Sequence, residues 1–253
     1  MNYETSLVIF FRVIECRIFS PLTREEALEM TGYLRNIVNN QDVRPDSILI
    51  KGATILSMDE NVGNIERGDI LISGSTITAI GENLEANGAR VIDATNMIAM
   101  PGMVDSHRHS WEGQLRRINP NATCLEDYSN ATHFSFAKYY RPADMYIGNL
   151  LTALGCIDAG ITTVIDNSHN SRTAAHSDAA VEALLDAGIR AIHASGAPVS
   201  GEWDKAHWPG NWQRLQEKYF QGQPREPGFP CCHGPAGACI VGRGSQAGAA
   251  DRH

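Results

Sequence analysis

The chain contains 253 residues, of which 43% are hydrophobic and 20% charged, a balance typical of folded globular proteins with one or two domains. Acidic residues outnumber basic residues by 29 to 21, and the net charge of −8 argues against a nucleic-acid-binding surface, which needs a basic face. No run of about 18 apolar residues occurs, so no membrane span is predicted. The six cysteines form no disulfide pattern, and the cytoplasm is the expected location.

Residues 1–45 form an N-terminal extension in which the sequence predicts one amphipathic helix. Thr23 and Glu26 have the spacing of a capping box at its start. Apolar residues recur at helical spacing at Leu22, Ala27, Leu28, Met30, Leu34, Ile37 and Val38. No function can be read from this segment.

Residues 46–100 change to the period of β-strands. Short β-branched runs such as ILIKGATIL and GDILISG alternate with turns rich in Gly, Asn and Asp. This pattern predicts a small antiparallel sheet, a β-sandwich segment without catalytic residues.

Residues 101–220 alternate between strand and helix, with short joints that contain glycine. Such alternation is typical of a parallel sheet covered by helices. The predicted strands are 103–109, 161–166 and 189–195, and the predicted helices are 143–159, 173–187 and 212–220.

Residues 221–253 fit neither pattern. They hold seven Gly, four Pro and three of the six Cys, with no helical or strand period. Two interpretations stay open, a disordered terminus or a frameshifted or artificial tail. Cys231, Cys232 and His233 match metal ligands in type, but their spacing fits no standard zinc pattern.

The strongest chemical feature is the pair His107 and His109 at the end of the first predicted parallel strand. Residues i and i+2 of a strand point to the same face, so the two imidazoles lie side by side. Imidazole nitrogen is a common ligand for Zn²⁺. An isolated His-x-His also arises by chance, but here it follows an apolar strand within a parallel α/β pattern, where active sites occupy the carboxyl ends of the strands.

The next two predicted strands also end in polar residues. His169 follows the second, and both a pocket-lining, substrate-contacting role and a role at the start of the next helix stay open. His193 in the third strand is expected to be a core or rim histidine with satisfied hydrogen bonds. His176, early in a helix, is expected to face solvent. His133 lies in a long loop, residues 119–140, of the kind that often covers a substrate.

Other reaction classes find no support in the sequence. The Gly-x-Ser-x-Gly elbow of serine hydrolases, the phosphate-binding P-loop and the dinucleotide-binding Gly-x-Gly-x-x-Gly after a strand are all absent.

Taken together, these stretches resemble the amidohydrolase superfamily, in its cytosine deaminase and triazine chlorohydrolase-like branch. The resemblance covers about residues 47–220 and includes the motif Pro-Gly-x-Val-Asp-x-His-x-His at residues 101–109. It continues through YRPADMYIGNLLTALGCIDAGITTVIDNSHN and the strand IRAIHAS.

The resemblance implies a metal-dependent (β/α)8 TIM barrel with a small β-sandwich. His107 and His109 match the family's first two metal ligands. Asp105 is expected to orient the histidine strand. The implied cofactor is one divalent metal ion, zinc before iron. Further family ligands, a His after the fifth strand and an Asp after the eighth, follow the roughly three βα units found here. A whole barrel takes roughly 250 residues, so only its first part is expected in this chain.

Two functional hypotheses follow. The first is a metal-dependent amidohydrolase that hydrolyses a C–N or C–Cl bond of a small heterocyclic or amidine-like substrate, typically by deamination. The alternative is a catalytically inactive, truncated half-barrel with at most weak metal binding. The expected partner is a small-molecule substrate, with no nucleic acid and no membrane, and homo-oligomerisation stays open.

Overall fold

The computed structural model describes residues 7–10, 47–74, 76–206, 210–219 and 238–242. The chain divides into two compact units, residues 1–102 and residues 103–253. The helix predicted between residues 20 and 40 and the Cys231–His233 cluster lie outside the described residues. None of the helices in the described ranges is long and apolar enough to cross a membrane.

The first unit contains a six-stranded sheet. Its strands are β1 (Leu7–Phe10), β2 (Ser47–Leu56), β3 (Asn64–Ser73), β4 (Thr76–Gly81), β5 (Arg90–Asp93) and β6 (Ile98–Pro101). The order is β1-β6-β2-β3-β4, and β5 also pairs with β2. The expectation of a purely antiparallel sheet is wrong, because β5 and β6 run parallel to β2. Apolar alternation identifies strands but carries no information about their direction.

The sheet of the first unit has an apolar core. Its core consists of Ile50, Ala53, Ile55, Ile70, Ala94 and Ala99. The buried Asp69 carboxylate accepts hydrogen bonds from the backbone nitrogens of Gly52 (2.8 Å) and Leu84 (2.9 Å). These bonds compensate the loss of water around the carboxylate and tie β3 to two neighbouring segments.

The second unit is built around a four-stranded sheet of order β10-β9-β8-β7. Its strands are β7 (Met103–Arg108), β8 (Ile161–Ser168), β9 (Arg190–Ser195) and β10 (Ala238–Gly242), and its helices are α1 (Leu125–Ala131), α2 (Pro142–Asp158), α3 (Ala174–Ala187) and α4 (Asn211–Tyr219). Strands β7, β8 and β9 are parallel, as the alternation of strands and helices predicts. The chain thus has a mixed α/β fold.

Strand β10 lies in the tail, for which the sequence predicts no regular structure. It pairs antiparallel with β9, with Ala238 opposite Ser195 and Gly242 opposite Ala191. The structure therefore differs from the expectation at residues 238–242, because pairing with a neighbouring strand can order a segment that has weak propensity of its own.

Close backbone packing positions the segment that leaves β7. This segment forms a 3-10 helix, Ser110–Leu115, which packs against α2. A Cβ atom on Gly148 would lie 2.2 Å from the backbone oxygen of Trp111, and one on Gly113 would lie 2.3 Å from the backbone oxygen of Gly148. Only glycine fits at both positions, so this contact sets the distance between the 3-10 helix and α2.

We expect Gly148→Ala to lower the free energy of unfolding by about 1–3 kcal/mol, because the added methyl group overlaps the Trp111 carbonyl. Gly155→Ala is the matched control on the same helix, since a Cβ there meets nothing within 4 Å. It should raise the free energy of unfolding by up to about 1 kcal/mol. Urea denaturation followed by circular dichroism measures both, and equal effects of the two variants would contradict the packing argument.

Helix α2 carries an exposed apolar stripe. The stripe consists of Ile147, Leu151, Leu154 and Ile157, each 42–50% exposed. On strand β7, Val104 is 63% exposed. Contiguous apolar surface of this kind promotes association or aggregation.

We expect the full chain to self-associate in a concentration-dependent manner, and the double variant Leu151→Lys, Leu154→Lys to reduce this association. Asp158→Lys is the matched control, because it changes the net charge by the same two units at an exposed position of the same helix without removing apolar surface. Size-exclusion chromatography with light scattering makes the comparison. A sharp monomeric peak for the wild-type chain at all concentrations would contradict the expectation.

Candidate metal and active site

The end of β7 brings His107 and His109 together, as the spacing of these residues predicts. Their ring centroids lie 5.0 Å apart with an interplanar angle of 84°. His109 Nδ1 lies 2.8 Å from the backbone oxygen of Asn167 on the neighbouring strand β8. Because a carbonyl oxygen only accepts, Nδ1 carries the hydrogen and the neutral ring offers its lone pair at Nε2. This arrangement is typical of metal-binding histidines.

His169 joins the same group. Its Nδ1 donates to the same Asn167 oxygen over 3.0 Å, and its ring centroid lies 4.2 Å from that of His109. A carbonyl oxygen has two lone pairs, so it can accept from both rings. Asn167 thereby sets the same tautomer, with a free lone pair at Nε2, in two histidines at once.

Asp105 contacts the backbone next to the histidines. One carboxylate oxygen accepts from the backbone nitrogen of His107 at 3.1 Å, and the other lies 2.7 Å from the Arg108 guanidinium. These contacts shape the end of β7.

Two residues that the sequence did not single out for chemistry, Glu112 and His133, lie beside His169. His133 Nε2 is 3.1 Å from His169 Nε2. Glu112, His133 and His169 each place one ligand atom within 4.8 Å of the other two. The Tyr128 hydroxyl donates to Glu112 Oε1 over 2.5 Å. The only sequence signal for Glu112 is its position three residues after His109. The only sequence signal for His133 is its position in the long loop 119–140.

A cavity of about 550 Å³ opens next to the two motif histidines. Polar groups that line it include Asp105, His107, His109, Glu112 and Arg116. On the other side lie residues of α2, among them Leu151 and Cys156. Small-molecule sites commonly have volumes of about 300–1,000 Å³, so the cavity has the size of such a site.

The chain is similar in sequence to known deaminases over part of its length. No family model matches the sequence. The chain is 33% identical over 159 residues to a 5-methylthioadenosine/S-adenosylhomocysteine deaminase of Thermococcus kodakarensis, covering 63% of this chain and 35% of that protein. It is 30% identical over 119 residues to a 5'-deoxyadenosine deaminase of Methanosarcina acetivorans, covering 47% and 27%. The chain thus spans about a third of the length of these curated relatives.

Solved structures agree with the sequence comparison. An atrazine chlorohydrolase variant from Arthrobacter aurescens TC1, complexed with zinc and atraton, matches with a TM-score of 0.60 and 27% identity over 70% of this chain and 44% of that chain. These relatives and solved structures support the amidohydrolase superfamily for the part of the chain that they match. A guanine deaminase from C. acetobutylicum shares the fold of this chain, with a TM-score of 0.57 and 19% identity.

Burial changes the pKa values of the ionisable side chains around His169. It raises the pKa of Glu112 to about 7, although the hydrogen bond from Tyr128 acts in the opposite direction. The pKa values of His133 and His169 fall to about 4, mainly because of burial and in part because of the nearby His109. Both imidazoles are therefore neutral at pH 7, the form in which histidine binds metals.

His193 is buried, as expected for a core histidine, but the expectation of satisfied hydrogen bonds is met at only one of its ring nitrogens among the described residues. Its Nδ1 lies 2.9 Å from Asp166 Oδ2, while Asp166 Oδ1 accepts from the backbone nitrogen of Ser110 at 3.1 Å. His193 Nε2 has no hydrogen-bond partner among the described residues. Asp166 therefore links β8 and β9 to the segment that carries Glu112.

His176 is buried, so the expectation that it faces solvent is wrong. Its Nε2 donates to the backbone oxygen of Tyr140 (2.9 Å), and its Nδ1 then accepts from Thr173 Oγ1 (2.8 Å). The partner Tyr140 is 36 residues away, and the helical pattern around His176 gives no information about so distant a contact.

We expect the stability of the chain to decrease as the pH falls below about 6.5, in part because of His176. Burial lowers the pKa of His176, so folding favours the neutral ring. The resulting stabilisation is complete above the unfolded pKa of about 6.5 and is lost as the pH falls through the folded pKa. His176→Gln keeps a donor without titrating, so its melting temperature should fall less steeply between about pH 6.5 and 5. Parallel slopes for the two proteins would contradict the assignment.

Proposed function

We propose that this chain contributes part of the active site of a metal-dependent amidohydrolase. The proposed reaction is hydrolysis of a C–N bond, or a C–Cl bond, in a small heterocyclic or amidine-like substrate, with deamination as the typical case. The observation that carries the proposal is the pair His107 and His109 at the carboxyl end of β7, with His109 held as an Nε2 ligand by Asn167. Relatives named as deaminases of adenosine derivatives support the substrate class.

The donor set fits a divalent metal. His107 and His109 would hold this ion. We propose zinc in preference to iron, because a structurally similar chlorohydrolase is complexed with zinc. When bound, such an ion supplies a Lewis acid and lowers the pKa of a coordinated water towards about 7. A catalytic zinc site needs three protein ligands and an open position, so these two histidines would be part of the set.

The remaining roles concern binding and orientation. Asp105 holds the backbone of His107 and so the direction of the histidine strand. His169 borders the pair and stays our candidate for a contact with the substrate. The fully buried Trp111 packs against His169, with ring centroids 5.5 Å apart, and excludes water from that side.

We also propose a barrel topology and a cellular location for this protein. We assign β7, β8 and β9 to the first three strands of a TIM barrel and the sheet of the first unit to the small β-sandwich. Neighbours that match the chain over 44% of their length support this assignment. We place the protein in the cytoplasm, since Cys124 and Cys156 are both free thiols.

Ammonia release by the purified full chain tests the proposal. The substrates are 5-methylthioadenosine, 5'-deoxyadenosine and guanine, each with added zinc or iron, and chloride release from atrazine tests the C–Cl reaction. If the chain supports the reaction by itself, turnover exceeds the protein-free control and decreases at least about a hundredfold in His109→Asn, because a metal ligand is lost.

His176→Gln is the matched control for this experiment, since it changes another buried histidine of the same unit that borders none of the motif residues. It should retain the wild-type rate. If no substrate turns over with either metal, or if His109→Asn is as active as the wild type, the hydrolase proposal fails for this chain. The inactive half-barrel is then favoured.

A further inference from the structure

We propose that Glu112, His133 and His169 form a second divalent-metal site, with ligands separate from His107 and His109. One ligand atom from each of the three residues lies within 4.8 Å of the other two. The site shares His169, the candidate substrate contact, with the proposed active site, but none of its ligands belongs to the His-x-His pair.

The spacing of the two imidazole nitrogens fits coordination of one ion. Two ligands bound to zinc at about 2.0–2.1 Å and at the tetrahedral angle lie about 3.3–3.4 Å apart. His133 Nε2 and His169 Nε2 are 3.1 Å apart. A change of a few tenths of an ångström would therefore bring these two nitrogens to that separation.

The tautomers follow from the hydrogen bonds. His169 keeps its hydrogen on Nδ1, which donates to Asn167, so its Nε2 offers a lone pair. Without a metal, the single hydrogen on the axis between the two rings therefore belongs to His133 Nε2. On metal binding this hydrogen moves to Nδ1 of the same ring, and the metal takes its place between the two nitrogens.

Glu112 supplies the anionic ligand. Tyr128 donates to Oε1 and fixes the orientation of the carboxylate, which leaves Oε2 for the metal. Trp111 is fully buried and packs against both histidines, with ring centroids 5.7 Å from His133 and 5.5 Å from His169. Two imidazoles and one carboxylate suit zinc and leave a fourth position for water or a substrate atom.

Such an ion would join three separate segments of the second unit. Glu112 lies on the 3-10 helix after β7, His169 follows β8, and His133 lies between α1 and the short helix Ala137–Tyr139. Ser200 Oγ also donates to the backbone oxygen of His133. Since a metal that binds only the folded chain stabilises it, loading should raise the melting temperature.

Titration with cobalt(II) tests the site on the full chain after removal of metals with a chelator. We expect the visible absorption of four-coordinate cobalt to persist in the double variant His107→Asn, His109→Asn. It should disappear when His133→Asn or His169→Asn is added to that double variant, in which the His-x-His pair no longer supplies ligands. His176→Gln is the matched control and should titrate like the wild type.

Glu112→Gln keeps the size of the side chain and should weaken cobalt binding at least about tenfold. Circular dichroism shows which variants fold, and Glu112→Gln tests the site if the histidine variants do not. The proposal fails if the His107, His109 double variant gives no such absorption, or if adding His133→Asn, His169→Asn or Glu112→Gln to a folded double variant leaves its cobalt affinity unchanged. Its failure leaves the proposed hydrolase untouched, because ammonia release depends on His107 and His109.

Discussion

The backbone oxygen of Asn167 is the contact on which the candidate site depends. It accepts hydrogen bonds from His109 and His169 and so sets one tautomer in both rings. The parallel pairing of β7 with β8 brings this oxygen to the end of the histidine strand. Because the acceptor is a backbone atom, the chemistry of the histidines depends on strand register and not on the side chain at position 167.

The 3-10 helix that packs against α2 supplies further residues of the candidate site. Glycines at positions 113 and 148 allow the 3-10 helix to approach α2. The 3-10 helix places Trp111 and Glu112 near the histidines. Asp166 holds the same helix from the other side through the backbone nitrogen of Ser110. The position of Glu112 therefore results from backbone contacts, while its raised pKa results from burial.

Local sequence patterns predicted the features that depend on residues close together in the chain, namely the helices, the strands and the histidine pair. The order β7, β8 and β9 with α2 and α3 between them follows from hydrophobic period and from Gly160 and Gly188 after the helices. The His107–His109 pair follows from strand geometry alone. The contacts of Glu112, His133 and His176 cross tens of residues, and no periodic pattern encodes them. For the same reason the direction of β5 and β6 was not predictable.

The antiparallel pairing of β10 with β9 has a consequence during synthesis. Strands β7 to β9 can form in order as they leave the ribosome, but residues 196–237 separate β9 from β10. At roughly 5–20 residues per second, translation of this interval takes roughly 2–8 seconds. Throughout this delay the outer edge of β9 lacks the partner that later covers it, and unpaired edges recruit other strands. A nascent chain of this protein therefore has a defined interval in which chaperones would shield that edge.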